Sequence, residues 1–157
     1  CALPIWPKIA IHEWPNNTFF GSYVAADYGT ETNLTAPLAY VNNINPVVYN
    51  TNGSIIGYKY FNFSKTEGNR NLKLFVNLTP EGIDGNIDIY IDRPWASDGG
   101  KLLGSIKISK DMPQTSTQMS VKLPALANYS GKHALYFVIS SPVEEKSICS
   151  FESFVFK

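Results

Sequence analysis

Most of the chain after residue 46 alternates hydrophobic and polar positions with a period of two. In the segment 72–78, the even-numbered positions are all Leu or Val. In the segment 86–92, isoleucines at the odd positions oppose a second face that carries Asn86, Asp88, Tyr90 and Asp92. A period of two places successive side chains on opposite faces of a β-strand, so both segments are predicted to be half-buried strands.

The same reasoning predicts eight strands in all: 22–27, 55–63, 72–78, 86–92, 102–109, 117–123, 132–140 and 148–156. Turn-forming residues such as Pro80-Glu81-Gly82 and Asp84-Gly85 separate them. No segment has the period of an amphipathic helix. Because an all-β chain must stack two sheets to bury one face of each, we predict an antiparallel β-sandwich of the jelly-roll type.

The first 46 residues differ from the rest in that they hold five prolines and several Asn-rich turns. They are typical of an extended lead-in or linker, and 22–27 is their one strand-like segment. We therefore expect a lead-in over residues 1–21 and a β-sandwich over residues 22–157.

Composition excludes several classes of protein. The chain has 157 residues, of which 44% are hydrophobic and 13% aromatic, so it can form a core and is not expected to be disordered. Thirteen basic residues balance thirteen acidic ones without a basic cluster, which argues against a nucleic-acid partner. No apolar run approaches the roughly 20 residues that span a bilayer.

Residues with catalytic or metal-binding chemistry are sparse. Cys1 and Cys149 could pair with each other, but we favour Cys149 as a small buried hydrophobic residue. His12 and His133 match no metal-ligand spacing, and His133 is expected at the surface or at a strand end. Asp88 and Asp92 lie about 13 Å apart on one strand face, beyond the roughly 5–9.5 Å that glycosidases use. We therefore predict no enzyme activity.

Several aromatic residues have no evident place in the core. Tyr40 and Tyr49 fall in turn-rich segments, Trp95 follows the strand 86–92, and Tyr90 lies on the polar face of that strand. Exposed rings on a rigid surface are typical of ligand-binding sites, and the apolar face of a sugar stacks well on such a ring. The alternative for Trp95 is that its ring folds back over its own loop.

From Tyr49 onward the chain resembles the family 6 carbohydrate-binding modules, β-sandwich domains appended to plant cell-wall hydrolases. Residues 49–63 resemble the family's Tyr-x-x-Asn-Gly-Asp-Trp-x-x-Tyr-x-x-x-x-Phe through Tyr49, Asn52, Gly53, Tyr58 and Phe63. Three further parts of the chain match the family's segments in the right order: 85–94 with 102–106, 131–138 and 148–156.

The resemblance implies non-catalytic binding of a plant cell-wall glycan, such as xylan, arabinoxylan or another β-glucan. Tyr49 matches a ring that holds the sugar at the loop end, but 114–117 lacks the family's Trp, and Ser150 replaces its Asn. Some members bind instead on the concave sheet face, where the Asn86 stripe and Trp95 would serve. The predicted binding residues are Tyr49, Asn52, Asp88, Tyr90, Trp95 and Ser150.

The resemblance also implies a structural calcium ion between the first and last strands. Asp27 and Glu152 match two of the family's acidic ligands, and one acid is missing. The implied setting is a secreted or cell-surface protein with an upstream glycoside hydrolase domain. Apart from the resemblance, Cys1 at the start of the chain is compatible with a bacterial lipoprotein acylated at that residue. The alternative is a structural sandwich that has lost its sugar site and packs against the catalytic domain.

Overall fold

A computed structural model describes residues 19–20 and 40–157, and their regular structure consists of strands and short 3-10 turns. No helix among these residues is long and apolar enough to cross a bilayer. The strands are β1 (Phe19–Phe20), β2 (Tyr40–Val47), β3 (Ile55–Asn62), β4 (Lys73–Pro80), β5 (Gly85–Ile91), β6 (Lys101–Ile108), β7 (Thr117–Lys122), β8 (Lys132–Ser140) and β9 (Cys149–Phe156).

The strands form two stacked sheets, which confirms the predicted all-β sandwich. The five-stranded sheet has the order β1-β3-β8-β5-β6, and the four-stranded sheet has the order β2-β9-β4-β7. The short strand β1 pairs with β3 in parallel, and the other described pairings are antiparallel.

The core lies between the sheets and follows the predicted alternation. Leu74, Val76 and Leu78 of β4 are fully buried, as are the isoleucines of β5. The two sheets meet through a cluster of rings around Phe154 of β9, whose ring centroid lies 5.0 Å from that of Tyr58 and 5.1 Å from that of Phe137. Rings at these distances in edge-on or tilted arrangements add favourable electrostatics to the apolar area that they bury.

The structure corrects the prediction that 22–27 is the one strand-like segment of the first 46 residues, because Tyr40–Val47 forms the strand β2. Tyr40 therefore begins a strand and does not lie in a turn. Asn-rich sequence and Pro46 obscure the pattern, and the pairing of β2 with β9 shifts register between Asn42 and Val47. Proline is tolerated here because β2 is an edge strand with an irregular ladder. The predicted strand 22–27 lies outside the described residues.

The loops gather at two opposite ends of the sandwich. The Tyr49 end consists of the loops 48–54, 81–84, 109–116 and 141–148. The Trp95 end consists of the loops 63–72, 92–100 and 123–131. Because antiparallel neighbours reverse direction, this assignment follows from strand order alone and decides which loop residues can share a site.

Cys149 confirms the expectation of a buried, small apolar residue. It is a free thiol with no exposed surface. Burial raises the pKa of the Cys149 thiol to about 12, and the Glu81 carboxylate adds to this shift. The thiolate is the reactive form, so the folded chain holds this group inert.

We predict that Cys149 reacts with a disulfide reagent at about pH 8 far more slowly in the folded chain than in denaturant, when Cys1 is replaced by Ser so that one thiol remains. The raised pKa also determines how the stability of the folded chain changes with pH. An unfolded thiol loses its proton near pH 8.5, whereas the folded thiol keeps it up to about pH 12.

The stability that Cys149 confers relative to Cys149→Ala should therefore be complete below about pH 8.5 and decline as the pH rises above it. Denaturant unfolding of both variants across this range measures the difference. Equal thiol reactivity in the folded and unfolded chain, or a difference in stability that does not change with pH, would contradict the assignment.

Candidate functional site

The predicted binding residues lie in three separate places. Tyr49, Asn52 and Ser150 are at the Tyr49 end of the sandwich. The stripe with Asp88 and Tyr90 lies on the outer face of the five-stranded sheet, and Trp95 lies in the loop at the opposite end. Since Tyr49 and Trp95 are separated by the length of the strands, the two rings cannot stack on one sugar.

Tyr49 presents its ring to solvent with a side chain that is 76% exposed. Its backbone has φ 59°, in the left-handed region that non-glycine residues adopt only under local constraint. The constraint is visible in the tight loop, where the Tyr49 carbonyl accepts hydrogen bonds from the Thr51 N–H at 3.0 Å and the Ser54 hydroxyl at 3.3 Å. These hydrogen bonds therefore hold the backbone that carries the Tyr49 ring in one conformation.

Asn50 anchors this loop to the core, a role that the sequence did not reveal. Its side chain is 2% exposed, and its amide donates to the carbonyls of Val47 and Cys149, both at 2.8 Å. The backbone carbonyl of Asn50 accepts from the Ile148 N–H at 3.0 Å. A buried amide with all these partners ties the loop 48–54 to the start of β9, because an unpaired buried amide would be costly.

Asn52 joins the same loop to the loop 141–148. Its side-chain amide donates to Glu144 Oε1 at 2.8 Å, and its Oδ1 accepts from the Ser141 N–H at 3.0 Å. Beside it lies a shallow cavity of about 240 Å³. The cavity is lined by Asn52, Asn86, Ser140, Ser141 and Pro142. Amide and hydroxyl groups at its rim can exchange hydrogen bonds with a polar ligand.

The surroundings of Tyr49 are partly apolar. Val48 is 51% exposed, and Val143 in the neighbouring loop is 40% exposed. Ser150 is half-buried near the start of β9, opposite Thr79 of β4. The segment 114–117 brings no ring to this end, so among the described residues Tyr49 is its one large exposed aromatic side chain.

The stripe on β5 faces outward as predicted. Asn86 is exposed and Asp88 is half-buried, with Asp88 Oδ1 accepting from the Ser105 hydroxyl at 2.5 Å. Tyr90 is also half-buried and packs against a small outer-face cluster that consists of Ile55, Ala134 and Tyr136. The polar half of the stripe is thus accessible, whereas the ring of Tyr90 contributes to packing.

Trp95 packs against the same outer-face cluster and is half-buried. Its carbonyl accepts from the N–H groups of Asp98 at 3.1 Å and Gly100 at 3.0 Å, which closes the loop tightly. A Cβ at Gly100 would lie 2.1 Å from the Arg93 carbonyl oxygen, so only glycine fits there. Of the two readings that the sequence left open, the geometry favours a ring that covers its own loop and neighbouring strands.

His133 and Asp92 form a pair at the Trp95 end. His133 Nδ1 lies 2.7 Å from Asp92 Oδ1, and Nε2 lies 2.8 Å from the Ser130 carbonyl oxygen. Because Nε2 faces a carbonyl, this His activates no hydroxyl nucleophile as a catalytic triad would. Burial, together with the Asp92 carboxylate, raises the pKa of Tyr129, whose ring packs edge-on against His133.

Both carboxylate oxygens of Glu152 accept hydrogen bonds from other described residues. Oε1 accepts from the Thr79 hydroxyl and Oε2 from the Ser116 hydroxyl, each at 2.7 Å. No group of three or more His, Cys, Asp or Glu side chains lies together in the part of the chain that the structure describes. The other predicted calcium ligand, Asp27, lies outside that part.

No family model and no curated protein sequence matches the chain. Among solved structures, a family 6 carbohydrate-binding module of Clostridium stercorarium, CsCBM6-3 in complex with cellobiose, superposes with a TM-score of 0.53 and 17% identity. The match covers 76% of this chain and 92% of that module. The fold is that of a family 6 carbohydrate-binding module.

Two further structures extend this comparison. The CBM36-1 domain of a multidomain xylanase from the hindgut metagenome of Trinervitermes trinervoides gives a TM-score of 0.50 at 11% identity, over 76% of this chain and 85% of that domain. A glycoside hydrolase family 43 arabinoxylan arabinofuranohydrolase from Bacillus subtilis, in complex with cellotetraose, gives 0.53 at 20% identity. That match covers 68% of this chain and 20% of the enzyme chain. At these identities the family 6 likeness establishes the fold.

We predict that Trp95→Ala destabilises the chain by about 2 kcal/mol, because removal of a fully buried Trp costs ~3–5 kcal/mol and this ring is half-buried. Trp95→Phe keeps a ring in the outer-face cluster and should lose less. Denaturant unfolding measures both variants, and a polysaccharide-binding assay should show little change. Unchanged stability with lost binding would identify Trp95 as a binding platform instead.

Proposed function

We propose that the chain binds carbohydrate without catalysing a reaction, with Tyr49 as the stacking platform. The observation that carries this proposal is a ring 76% exposed on a backbone held at positive φ. The C–H face of a pyranose is apolar and packs on such a ring, while its hydroxyls need polar partners at the edge. Asn52 with the rim of the cavity beside it, and Ser150 at the start of β9, are the candidate partners at this end of the sandwich.

The rigidity of the loop supports this assignment. Binding a flexible sugar costs conformational freedom, and a loop that is already ordered adds little to that cost. Asn50 and Asn52 fix the loop 48–54 through four side-chain hydrogen bonds of 2.8–3.0 Å. A single open site of this kind is expected to bind with a dissociation constant of order 10 μM to 1 mM.

The glycan class and the setting belong to the same proposal. We propose a β-linked plant cell-wall polysaccharide, with xylan or arabinoxylan first and another β-glucan second, and a role in targeting a secreted hydrolase to it. The resemblance of residues 49–156 to family 6 modules supports this, as does a fold shared with part of an arabinoxylan arabinofuranohydrolase. The Nε2 atom of His133 faces the Ser130 carbonyl and is not placed to activate a hydroxyl, which supports a non-catalytic role.

A second function, a structural sandwich packed against a catalytic domain, is favoured by one observation. No ring from 114–117 faces Tyr49, and Ser150 replaces the family's amide, so the site has one of three expected groups. In that case Val48, Tyr49 and Val143 would lie against the neighbouring domain. Binding of free polysaccharide by the isolated chain separates the two functions.

We predict that Tyr49→Ala weakens binding to arabinoxylan or a β-glucan about tenfold and leaves the melting temperature nearly unchanged, because the ring contributes stacking and buries little in the fold. Tyr49→Phe keeps the ring and should retain most of the affinity. Tyr60→Ala removes another exposed ring, 45% exposed on β3 and far from the Tyr49 end, and serves as the matched control. Affinity electrophoresis in gels with each polysaccharide gives the comparison.

Equal losses for Tyr49→Ala and Tyr60→Ala would contradict the proposed platform. Absence of binding to every neutral plant polysaccharide by the unaltered chain would favour the structural function.

A structural calcium ion is a further part of the proposal. Glu152, Thr79 and Ser116 bring one carboxylate and two hydroxyls together, and Asp27 would add a second carboxylate. Calcium takes about six to eight oxygen ligands, so backbone carbonyls or waters would complete the set. These residues are compatible with the ion, and it would stabilise the folded chain by binding to it alone.

We predict that a chelator lowers the melting temperature of the chain, that added calcium restores it, and that Glu152→Gln removes this sensitivity. Differential scanning calorimetry measures all three. If the chelator has no effect, the hydroxyl hydrogen bonds of Glu152 account for its role without a metal.

A further inference from the structure

Three lysines form a row across the outer face of the four-stranded sheet. Lys73 at the start of β4 is paired with Lys122 at the end of β7. On its other side, Lys73 exchanges two backbone hydrogen bonds with Lys157, which follows β9, at 2.8 and 2.9 Å. We call Lys73, Lys122 and Lys157 the lysine row.

All three side chains lie on the same face of the sheet. The next residues inward along each strand are Leu74, Val121 and Phe156. Leu74 is paired with Val121 on one side and with Phe156 on the other, and all three pack in the core. Because side chains alternate between faces, their lysine neighbours point outward, and each lysine is exposed. Neighbouring strands lie about 4.8 Å apart, so the row spans roughly 10 Å.

The row concentrates positive charge in a chain whose net charge is zero. Like charges directly opposite one another destabilise a strand pair. Within the described part of the chain, no carboxylate forms a salt bridge with any of the three lysines. The loop 63–72 that leads into β4 adds Lys65 and Arg70 against one acid, Glu67. Lysine on an edge strand also discourages aggregation, but of these three strands β7 alone is an edge.

The surface next to the row has the chemistry of a sugar-binding face. Lys157 Nζ lies 5.2 Å from the centroid of the Phe75 ring, which is half-buried in the next row of the sheet. Beyond it, Asn77 Nδ2 donates to the Ser153 hydroxyl at 2.9 Å, and Gln118 lies opposite Asn77. Cations, a half-buried ring and amides thus follow one another across adjacent rows of one sheet face, with Val155 and Ser153 buried between them.

We propose that this face is a second binding site, separate from Tyr49, for an anionic polysaccharide that carries uronic acid groups. The lysine row would hold carboxylates of the chain, and Phe75 with the amides would contact the sugar rings. The choice of a glycan as the ligand rests on the proposed function, whereas the charge of the ligand follows from the row itself. A duplex nucleic acid is a poorer fit, because the cations span about 10 Å and the same face carries the Glu152 carboxylate beside Thr79.

The test is binding of the full chain to immobilised polygalacturonate, measured at low and at physiological salt. The unaltered chain should bind, and its affinity should fall as salt rises. Replacing Lys73, Lys122 and Lys157 together by Gln should weaken binding about tenfold, because each exposed charge contributes modestly. Replacing Lys101, Lys107 and Lys110 by Gln makes the same change in net charge on the other sheet and its flanking loop, and should preserve binding.

Phe75→Leu tests the ring, and it should weaken binding a few-fold while the charge stays the same. The melting temperature of the triple lysine variant should be unchanged or higher, since repulsion within the row is removed. A large fall in melting temperature would show that the lysines are structural and would overturn the proposal. Equal losses in the two triple variants, or equally tight binding to duplex DNA, would also overturn it.

Each of the two binding proposals can be refuted without refuting the other. Tyr49→Ala should leave polygalacturonate binding intact, and the triple lysine variant should keep its affinity for neutral arabinoxylan. If the chain binds polygalacturonate through the lysine row but no neutral polysaccharide, the Tyr49 site is wrong and the lysine site stands. If it binds arabinoxylan through Tyr49 but not polygalacturonate, the lysine site is wrong.

Discussion

The packing of aromatic rings between the two sheets is the interaction on which the rest of the structure depends. Phe154 projects from β9 into rings of the opposite sheet, with Tyr58, Phe61 and Phe137 at centroid distances of 5.0–5.9 Å. These contacts join strands far apart in sequence and fix how the sheets stack. They also bring the loops of one sheet next to the loops of the other at each end of the sandwich.

Asn50 connects the packed core to the surface loop 48–54. Its buried amide joins the loop 48–54 to the ends of β2 and β9, and the next step outward is Tyr49 with its strained backbone and open ring. A sugar-binding platform benefits from such support, because a ring that is already positioned loses little freedom on binding. The chain therefore presents one rigid ring with polar groups beside it, where the family pattern has two rings and an amide.

The sequence predicted much of the fold because alternation is strong where one strand face is buried. The isoleucines of β5 and the leucines of β4 lie in the core as expected. The prediction missed β2, because Asn and Pro46 break the alternation on an edge strand whose ladder is irregular. The site was harder to predict. Burial of Trp95 depends on Ile55, Ala134 and Tyr136 from two other strands, and the lysine row exists only through the register of β4 with its neighbours.

The central claim is that a glycan binds at the Tyr49 end. Backbone amide chemical shifts of the ¹⁵N-labelled chain, followed by NMR during titration with xylo-oligosaccharide or cello-oligosaccharide, test it most directly. The largest changes should fall in the loops 48–54 and 141–148, around Tyr49, Asn52 and Ser141. Changes confined to β5 and the Trp95 loop, or no changes with either oligosaccharide, would contradict it.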